Sequence, residues 1–138
     1  MVAQELIIKQ TDSWTWSAFP NQSYLGRVQF TLRRKCEGSL ASLSDEEWSD
    51  LRASLVAYEA LIGKTFATDR FNYVQLGNVW PQVHVHGIPR YQAAPKWNGV
   101  AFPDTRWGDV PLPEPASPIS EDQTLAFAAE LRSMLSDA

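Results

Sequence analysis

The chain has 138 residues, of which 44% are hydrophobic, and a formal net charge of -4. This size and composition predict one compact domain, residues 1–138, with a core of its own. Twelve basic residues against 16 acidic ones argue against the extended electropositive surface that holds duplex nucleic acid.

The single cysteine, Cys36, argues against an intramolecular disulfide framework and against a zinc site built from several thiolates. A reducing compartment is therefore favoured. Residues 1–6 lack the basic start and the apolar stretch of a secretion signal, and no apolar run approaches membrane-spanning length. We expect a cytoplasmic protein with no membrane partner.

Two strands are predicted in the first quarter of the chain. Residues 14–19 alternate well enough for a short strand, and residues 20–23 supply turn chemistry. Residues 27–33 alternate more regularly, with Val28, Phe30 and Leu32 on one face and polar side chains on the other. The apolar face is predicted to join the core and the polar face to be solvated.

The clearest helix is predicted from Ser44 to Ile62. Ser44 and Glu47 form a capping-box pattern, because each side chain can satisfy a backbone donor of the other residue. Apolar residues then repeat at helical spacing, and Gly63 is a plausible C-terminal stop.

Residues 70–76 and 82–88 are predicted to be two strands of an antiparallel hairpin, joined by residues 77–81. Residues 95–118 contain six of the nine prolines, a content that disfavours a long helix and favours an ordered wrap over the domain. A last helix is predicted over residues 120–136, with Ser120 and Gln123 as its capping box.

Both histidines of the chain, His84 and His86, lie in the second strand of that hairpin. Alternation directs Val83 and Val85 into the core and places Gln82, His84 and His86 on the opposite face. An imidazole can attack phosphorus when a hydrogen bond fixes the proton on its other nitrogen. A neighbouring imidazole or amide can donate to phosphate oxygens.

The segment from His84 to Arg90, His-Val-His-Gly-Ile-Pro-Arg, resembles the histidine triad family, whose signature is His-φ-His-φ-His-φ-φ, often followed by Pro-Arg. In this register His84 matches the middle histidine, which is the family's nucleophile, His86 matches the third, and Gln82 stands in the place of the first. Asn78 of Gly77-Asn78 matches a family Gly-Gln that precedes the triad. Arg27 replaces a histidine that often begins the second strand, and the resemblance covers about residues 14–91.

The resemblance implies an α+β fold, with an antiparallel sheet of about five strands, a long helix packed on it and a C-terminal helix. It implies a homodimer and a nucleotide hydrolase or nucleotidyl transferase for dinucleoside polyphosphates or nucleoside phosphoramidates. No cofactor is required. His84 would form a covalent nucleotidyl intermediate, while His86, Gln82 and Asn78 would hold phosphate oxygens and Arg27 would attract a polyphosphate.

Three other interpretations stay open at this point. The chain could be a nucleotide-binding scaffold with little turnover, His84 and His86 could clamp a metal together with carboxylates, or they could be ordinary strand residues. Trp80 packs on its own sheet or covers a base. The arginines are expected to be solvated charges at strand edges: Arg27, Arg33 and Arg90.

Overall fold

An antiparallel five-stranded sheet organises the computed structural model, which describes residues 3–136. The strands lie in the order β1-β2-β3-β5-β4. Their bounds are Ile7–Gln10 (β1), Trp14–Ala18 (β2), Val28–Leu32 (β3), Arg70–Val74 (β4) and His84–Arg90 (β5). The predicted α+β fold with a sheet of five strands is confirmed.

Helix α1 (Asp45–Phe66) packs on one face of the sheet. Tyr58 of this helix lies edge-on to Trp16 of β2, Phe30 of β3 and Phe71 of β4, with ring centroids 5.2–6.4 Å apart. Trp16, Phe30 and Tyr58 are buried, and so is Val85 of β5. The apolar side chains of the alternating strands therefore meet the helix, which leaves the other sheet face for the polar ones.

The long helix ends four residues later than the sequence indicates, so the predicted stop at Gly63 is wrong. Gly63 is helical, and Ala67 instead takes the left-handed conformation, with φ of 55°, and donates its N–H to the Gly63 carbonyl. The last turn of the helix is also apolar on its inner side, where Phe66 packs against Phe127 with 5.9 Å between ring centroids. The start is as predicted, with the capping box of Ser44 and Glu47 present.

At Gly87, β5 lies directly against a side chain of the helix. A Cβ added at Gly87 would lie 2.9 Å from Tyr58 and 3.0 Å from Phe30. The Tyr58 hydroxyl donates towards the carbonyl oxygens of Gly87, at 3.1 Å, and Gly26, at 2.7 Å. A side chain at position 87 would displace this contact, which explains a glycine between His86 and Ile88.

Strand β1 was not predicted from the sequence. It pairs with β2 and contacts helix α2 (Glu121–Ser136), the predicted C-terminal helix. Arg132 of α2 donates to the carbonyl oxygens of Ile7 and Glu5, at 2.9 and 3.0 Å. The capping box of Ser120 and Gln123 is present as predicted.

Residues 95–118, here called the wrap, contain a short hairpin of β6 (Lys96–Trp97) and β7 (Val100–Ala101), and later wrap residues pair with arginines of the sheet. Arg90 at the end of β5 anchors the wrap. Its guanidinium pairs with both oxygens of Asp104, at 2.7 and 3.2 Å, and donates to the Arg106 and Asp109 carbonyls. Arg90 is 3% exposed, so its predicted solvation is wrong.

In the described range, residues 3–136, no helix combines the length and the apolar character needed to span a membrane.

Candidate active site

The two histidines lie on the sheet face opposite α1, at the ends of two polar rows that cross the sheet. His84 pairs in register with Thr31 of β3, which pairs with Thr15 of β2. His86 pairs with Gln29, which pairs with Ser17. Directly paired residues share a face, so these six side chains belong to one surface. The prediction that His84 and His86 share a polar face is met by this geometry.

The ring of His84 is held by the backbone two residues before it. Its Nδ1 lies 2.6 Å from the carbonyl oxygen of Gln82. A carbonyl oxygen can only accept, so Nδ1 carries a proton. In the neutral ring the lone pair is then on Nε2, which is the protonation state that a nucleophilic imidazole needs.

Arg27 gives His86 the opposite tautomer to that of His84. The Arg27 Nη2 atom lies 3.4 Å from His86 Nδ1, and a guanidinium can only donate, so the neutral ring carries its proton on Nε2. Burial, followed by the charges of Arg27 and His84, lowers the pKa of His86 from 6.5 to about 4. At pH 7 His86 is therefore a neutral hydrogen-bond donor 5.1 Å, ring to ring, from His84.

Arg27 is buried beside His86 and is 3% exposed, so its predicted solvation is wrong. Its expected attraction for a polyphosphate stays a prediction. Its guanidinium lies 3.8 Å from the Phe19 ring centroid and 3.4 Å from a carboxylate oxygen of Glu114 in the wrap. Its Nε is buried without a hydrogen-bond partner among the described residues. Burial lowers the pKa of Arg27, whereas Glu114 raises it. The guanidinium of Arg27 therefore contacts His86 instead of solvent.

Gln82 was predicted as a phosphate ligand beside the histidines, but its amide is used within the fold. Strand β5 begins only at His84, and both Gln82 amide protons go to backbone carbonyls, of Leu32 at 2.8 Å and of Arg34 at 2.7 Å. Its Oε1 accepts the Cys36 N–H at 2.9 Å. No side-chain donor remains for a phosphate oxygen, so Gln82 contributes through its backbone carbonyl instead.

Trp80, not Asn78, is the residue of the β4–β5 connection that contacts a histidine. The Trp80 and His84 ring centroids are 5.1 Å apart, with an angle of 33° between the planes. Asn78 is exposed and the structure gives its amide no partner among residues 3–136. The interpretation of Trp80 as an aromatic that packs on its own sheet is thus correct, although its contact is the nucleophile candidate itself. No pattern in the sequence indicates that contact.

Two cavities open on the histidine face. The larger, about 470 Å³, begins at Trp80 and Gln82 and follows the row through Thr31 and Thr15 to Gln10. The smaller, about 110 Å³, lies along the other row, between Ser17, Phe19 and Gln29. Phe19 also lies edge-on to His86, at 5.2 Å between ring centroids. The volume of the larger cavity is in the usual range of small-molecule sites.

A metal clamp by the two histidines finds little support in the described part of the chain. Residues 3–136 contain no group of three or more His, Cys, Asp or Glu side chains that could hold an ion. The Nδ1 atoms of His84 and His86 already face Gln82 and Arg27, and a cation beside the Arg27 guanidinium would be repelled.

No model of a protein family matches the chain. No curated protein matches it either. Solved structures do. A histidine triad protein from Marinobacter aquaeolei is 22% identical, with a TM-score of 0.71, over 99% of this chain and 96% of its own. The diadenosine triphosphate hydrolase of Plasmodium falciparum is 18% identical, with a TM-score of 0.70, over 99% of this chain and 80% of its own.

The NitFhit protein of C. elegans is 20% identical, with a TM-score of 0.70, and the match covers 96% of this chain. The chain spans only 28% of the length of that protein. These similarities show that the chain has the histidine triad fold.

Proposed function

We propose that this chain, with its histidine triad fold, is a nucleotide hydrolase or nucleotidyl transferase in which His84 is the nucleophile. The observation that carries the proposal is the 2.6 Å contact between His84 Nδ1 and the Gln82 carbonyl, since it leaves Nε2 free to attack. The similarity to the diadenosine triphosphate hydrolase of P. falciparum supports a nucleoside phosphate as substrate.

In the first step a bond forms between His84 Nε2 and the α-phosphorus, and the bond from phosphorus to the leaving oxygen or nitrogen breaks. A phosphate leaving group departs with the electron pair as an anion, whereas a leaving nitrogen takes the electron pair and a proton from solvent and departs as an amine. Water then attacks the same phosphorus, the P–N bond breaks, its electron pair returns to Nε2, and one proton passes to solvent. The nucleotide is released as a monophosphate.

His86 is proposed to stabilise the transition state as a neutral donor. Its Nε2 carries the proton, because Nδ1 accepts from Arg27. A hydrogen bond to a non-bridging oxygen strengthens as charge accumulates there, which lowers the barrier. Arg27 is a positioning residue in this scheme, because it fixes the tautomer of His86 without touching substrate.

Intact-mass analysis tests the proposal. Purified protein is mixed with diadenosine tetraphosphate or adenosine phosphoramidate and quenched in base, where phosphoramidate bonds to histidine survive. We expect a mass increase of one adenylyl group that maps to the peptide containing His84. The adduct and AMP release are abolished in His84→Ala and are unchanged in Cys36→Ser, which removes the only thiol. Binding of nucleotide with neither adduct nor turnover would instead favour a scaffold protein.

We also propose that two chains pair. The resemblance to the histidine triad family implies a homodimer, and β4, the last strand of the sheet, leaves one edge unpaired within residues 3–136. Light scattering after gel filtration should give twice the mass of the chain at micromolar concentration. A mass of one chain there would contradict the pairing.

A further inference from the structure

The larger cavity on the histidine face is lined by more basic than acidic side chains. Arg33 and Lys35, just after β3, line it together with a single acidic residue, Glu37. This net positive lining stands out in a chain whose formal charge is -4. The Arg33 guanidinium is fixed by the Thr11 carbonyl at 2.6 Å. Within residues 3–136, no ion pair or hydrogen bond engages the Lys35 ammonium.

The same cavity is bordered by two direct neighbours of His84, although the His84 ring is not itself among its lining residues. Trp80 forms one wall and lies against the His84 ring, while Thr31 is the register partner of His84 and forms the floor. A substituent on a phosphorus bonded to His84 would reach this cavity past Trp80 and Thr31. The floor continues to Gln10, whose amide donates to the Thr15 hydroxyl at 3.0 Å. Hydroxyls, an amide and cations suit a phosphorylated group better than an apolar one.

The smaller cavity has the opposite chemistry. It is lined by Phe19, Pro20 and Leu6 together with Ser17 and Gln29, and none of its lining side chains is charged. An aromatic base is the part of a nucleotide that fits such a surface. The histidines thus lie between an uncharged compartment and a cationic one.

We propose that the cavity lined by Trp80, Thr31, Arg33 and Lys35 binds the leaving group, and that this group carries phosphate. The inference rests on the proposed function and makes it narrower. A phosphate chain is attracted by Arg33 and Lys35, whereas a leaving amine, which is uncharged while it is bonded to phosphorus, gains no such attraction. The substrate is therefore a phosphoanhydride, not a phosphoramidate.

Two substrates that transfer the same adenylyl group to His84 isolate the leaving-group contacts. These are diadenosine tetraphosphate and the phosphoramidate between AMP and the side chain of lysine. Lys35→Glu reverses the free charge of the cavity, and Lys64→Glu makes the same change on the exposed, opposite side of the molecule, in α1. We expect Lys35→Glu to lower kcat/KM for the tetraphosphate roughly tenfold and to lower it less, or raise it, for the phosphoramidate.

The effect on the tetraphosphate should shrink in high salt, since Lys35 is exposed. Equal losses for both substrates, or a Lys35→Glu loss no larger than that of Lys64→Glu, would overturn the inference. A binding measurement separates this result from failure of the proposed function. Calorimetry with inorganic tripolyphosphate on His84→Ala protein should show binding that Lys35→Glu weakens and Lys64→Glu does not. If neither substrate is turned over, the proposed function fails. The anion site is tested separately, by whether tripolyphosphate binds and whether Lys35→Glu weakens that binding.

Discussion

Replacing Arg27 with methionine should raise the pKa of His86. The wild-type value of about 4 has three causes, of which burial is the largest and the Arg27 charge the second. Methionine keeps a long side chain over the Phe19 ring but removes the charge 3.4 Å from His86 Nδ1. Burial by the rest of the site remains, so the pKa should move towards 6.5 without reaching it.

The magnitude follows from the wild-type shift of His86. At about 1.4 kcal/mol for each pH unit, the fall from 6.5 to about 4 corresponds to about 3 kcal/mol of preference for the neutral ring. Arg27 ranks second to burial, so its share is less than half, or below about 1.5 kcal/mol. The protonation constant of His86 should therefore rise by roughly tenfold at most.

The pKa shift also makes the folding stability depend on pH. The unfolded chain takes up a proton at position 86 as the pH falls through 6.5, whereas the folded chain resists until about 4. This difference lowers the stability of the folded state as the pH falls between those values, by up to about 3 kcal/mol. Below a pH of about 4 the loss is complete and does not grow further. Arg27→Met should reduce that loss, because its folded state accepts the proton sooner.

Proton and nitrogen NMR of the two imidazole rings measures both the pKa and the tautomer. We expect wild-type His86 to be protonated at Nε2 at pH 7, and Arg27→Met to lose that fixed preference. Arg52→Met, at an exposed position of α1, removes the same charge on the other side of the sheet and should change neither. An unchanged His86 titration in Arg27→Met would refute the reasoning, and so would a wild-type His86 that titrates near 6.5.

Four further outcomes are expected. Gly87→Ala should cost about 1–3 kcal/mol of unfolding free energy because its Cβ meets Tyr58 at 2.9 Å, whereas Gly108→Ala, with nothing within 4 Å, should cost little. Gln82→Ala should cost about 1–3 kcal/mol, since two carbonyls and one N–H lose their partner. Arg90→Met should cost about 3–5 kcal/mol, because it leaves Asp104, 1% exposed, without its cation. Nucleotidyl transfer should persist after exhaustive treatment with a chelator.

Denaturant titration measures the three stability changes, and rate assays measure the last. Equal effects of the two glycine variants would contradict the close approach at position 87. A Gln82→Ala protein that keeps its stability but loses phosphate affinity would restore the original interpretation of Gln82 as a ligand. Activity that disappears with chelator and returns with one metal would favour a metal-dependent reaction.

Local patterns in the sequence were sufficient to predict most of the fold. The alternation of residues 27–33 and the shared face of His84 and His86 depend only on the period of a strand, and the two capping boxes depend on residues three apart. Strand β1 was missed because Ile7-Ile8-Lys9-Gln10 does not alternate. The end of the long helix was predicted wrongly at Gly63. The helix continues to Phe66, which packs on Phe127, and these two residues are 61 positions apart in the chain.

The errors at the site have one physical origin. Arg27 and Arg90 were expected in solvent as charges at strand edges, yet their partners Glu114 and Asp104 come from the wrap. Gln82 was expected to face substrate because β5 was taken to start there, whereas the amide bonds the turn after β3. A buried charge or amide is explained only by its tertiary partner, and alternation carries no information on that partner.

The position of Trp80 outside β5 has a practical consequence for changing which molecules the larger cavity accepts. It belongs to the irregular connection between β4 and β5, where the adjacent Val79 is almost fully solvent-exposed. The aromatic wall of the larger cavity can thus be resized by mutagenesis or by insertions in residues 75–79, without disturbing the strand that presents the imidazoles. Directed evolution towards bulkier phosphorylated groups would start there.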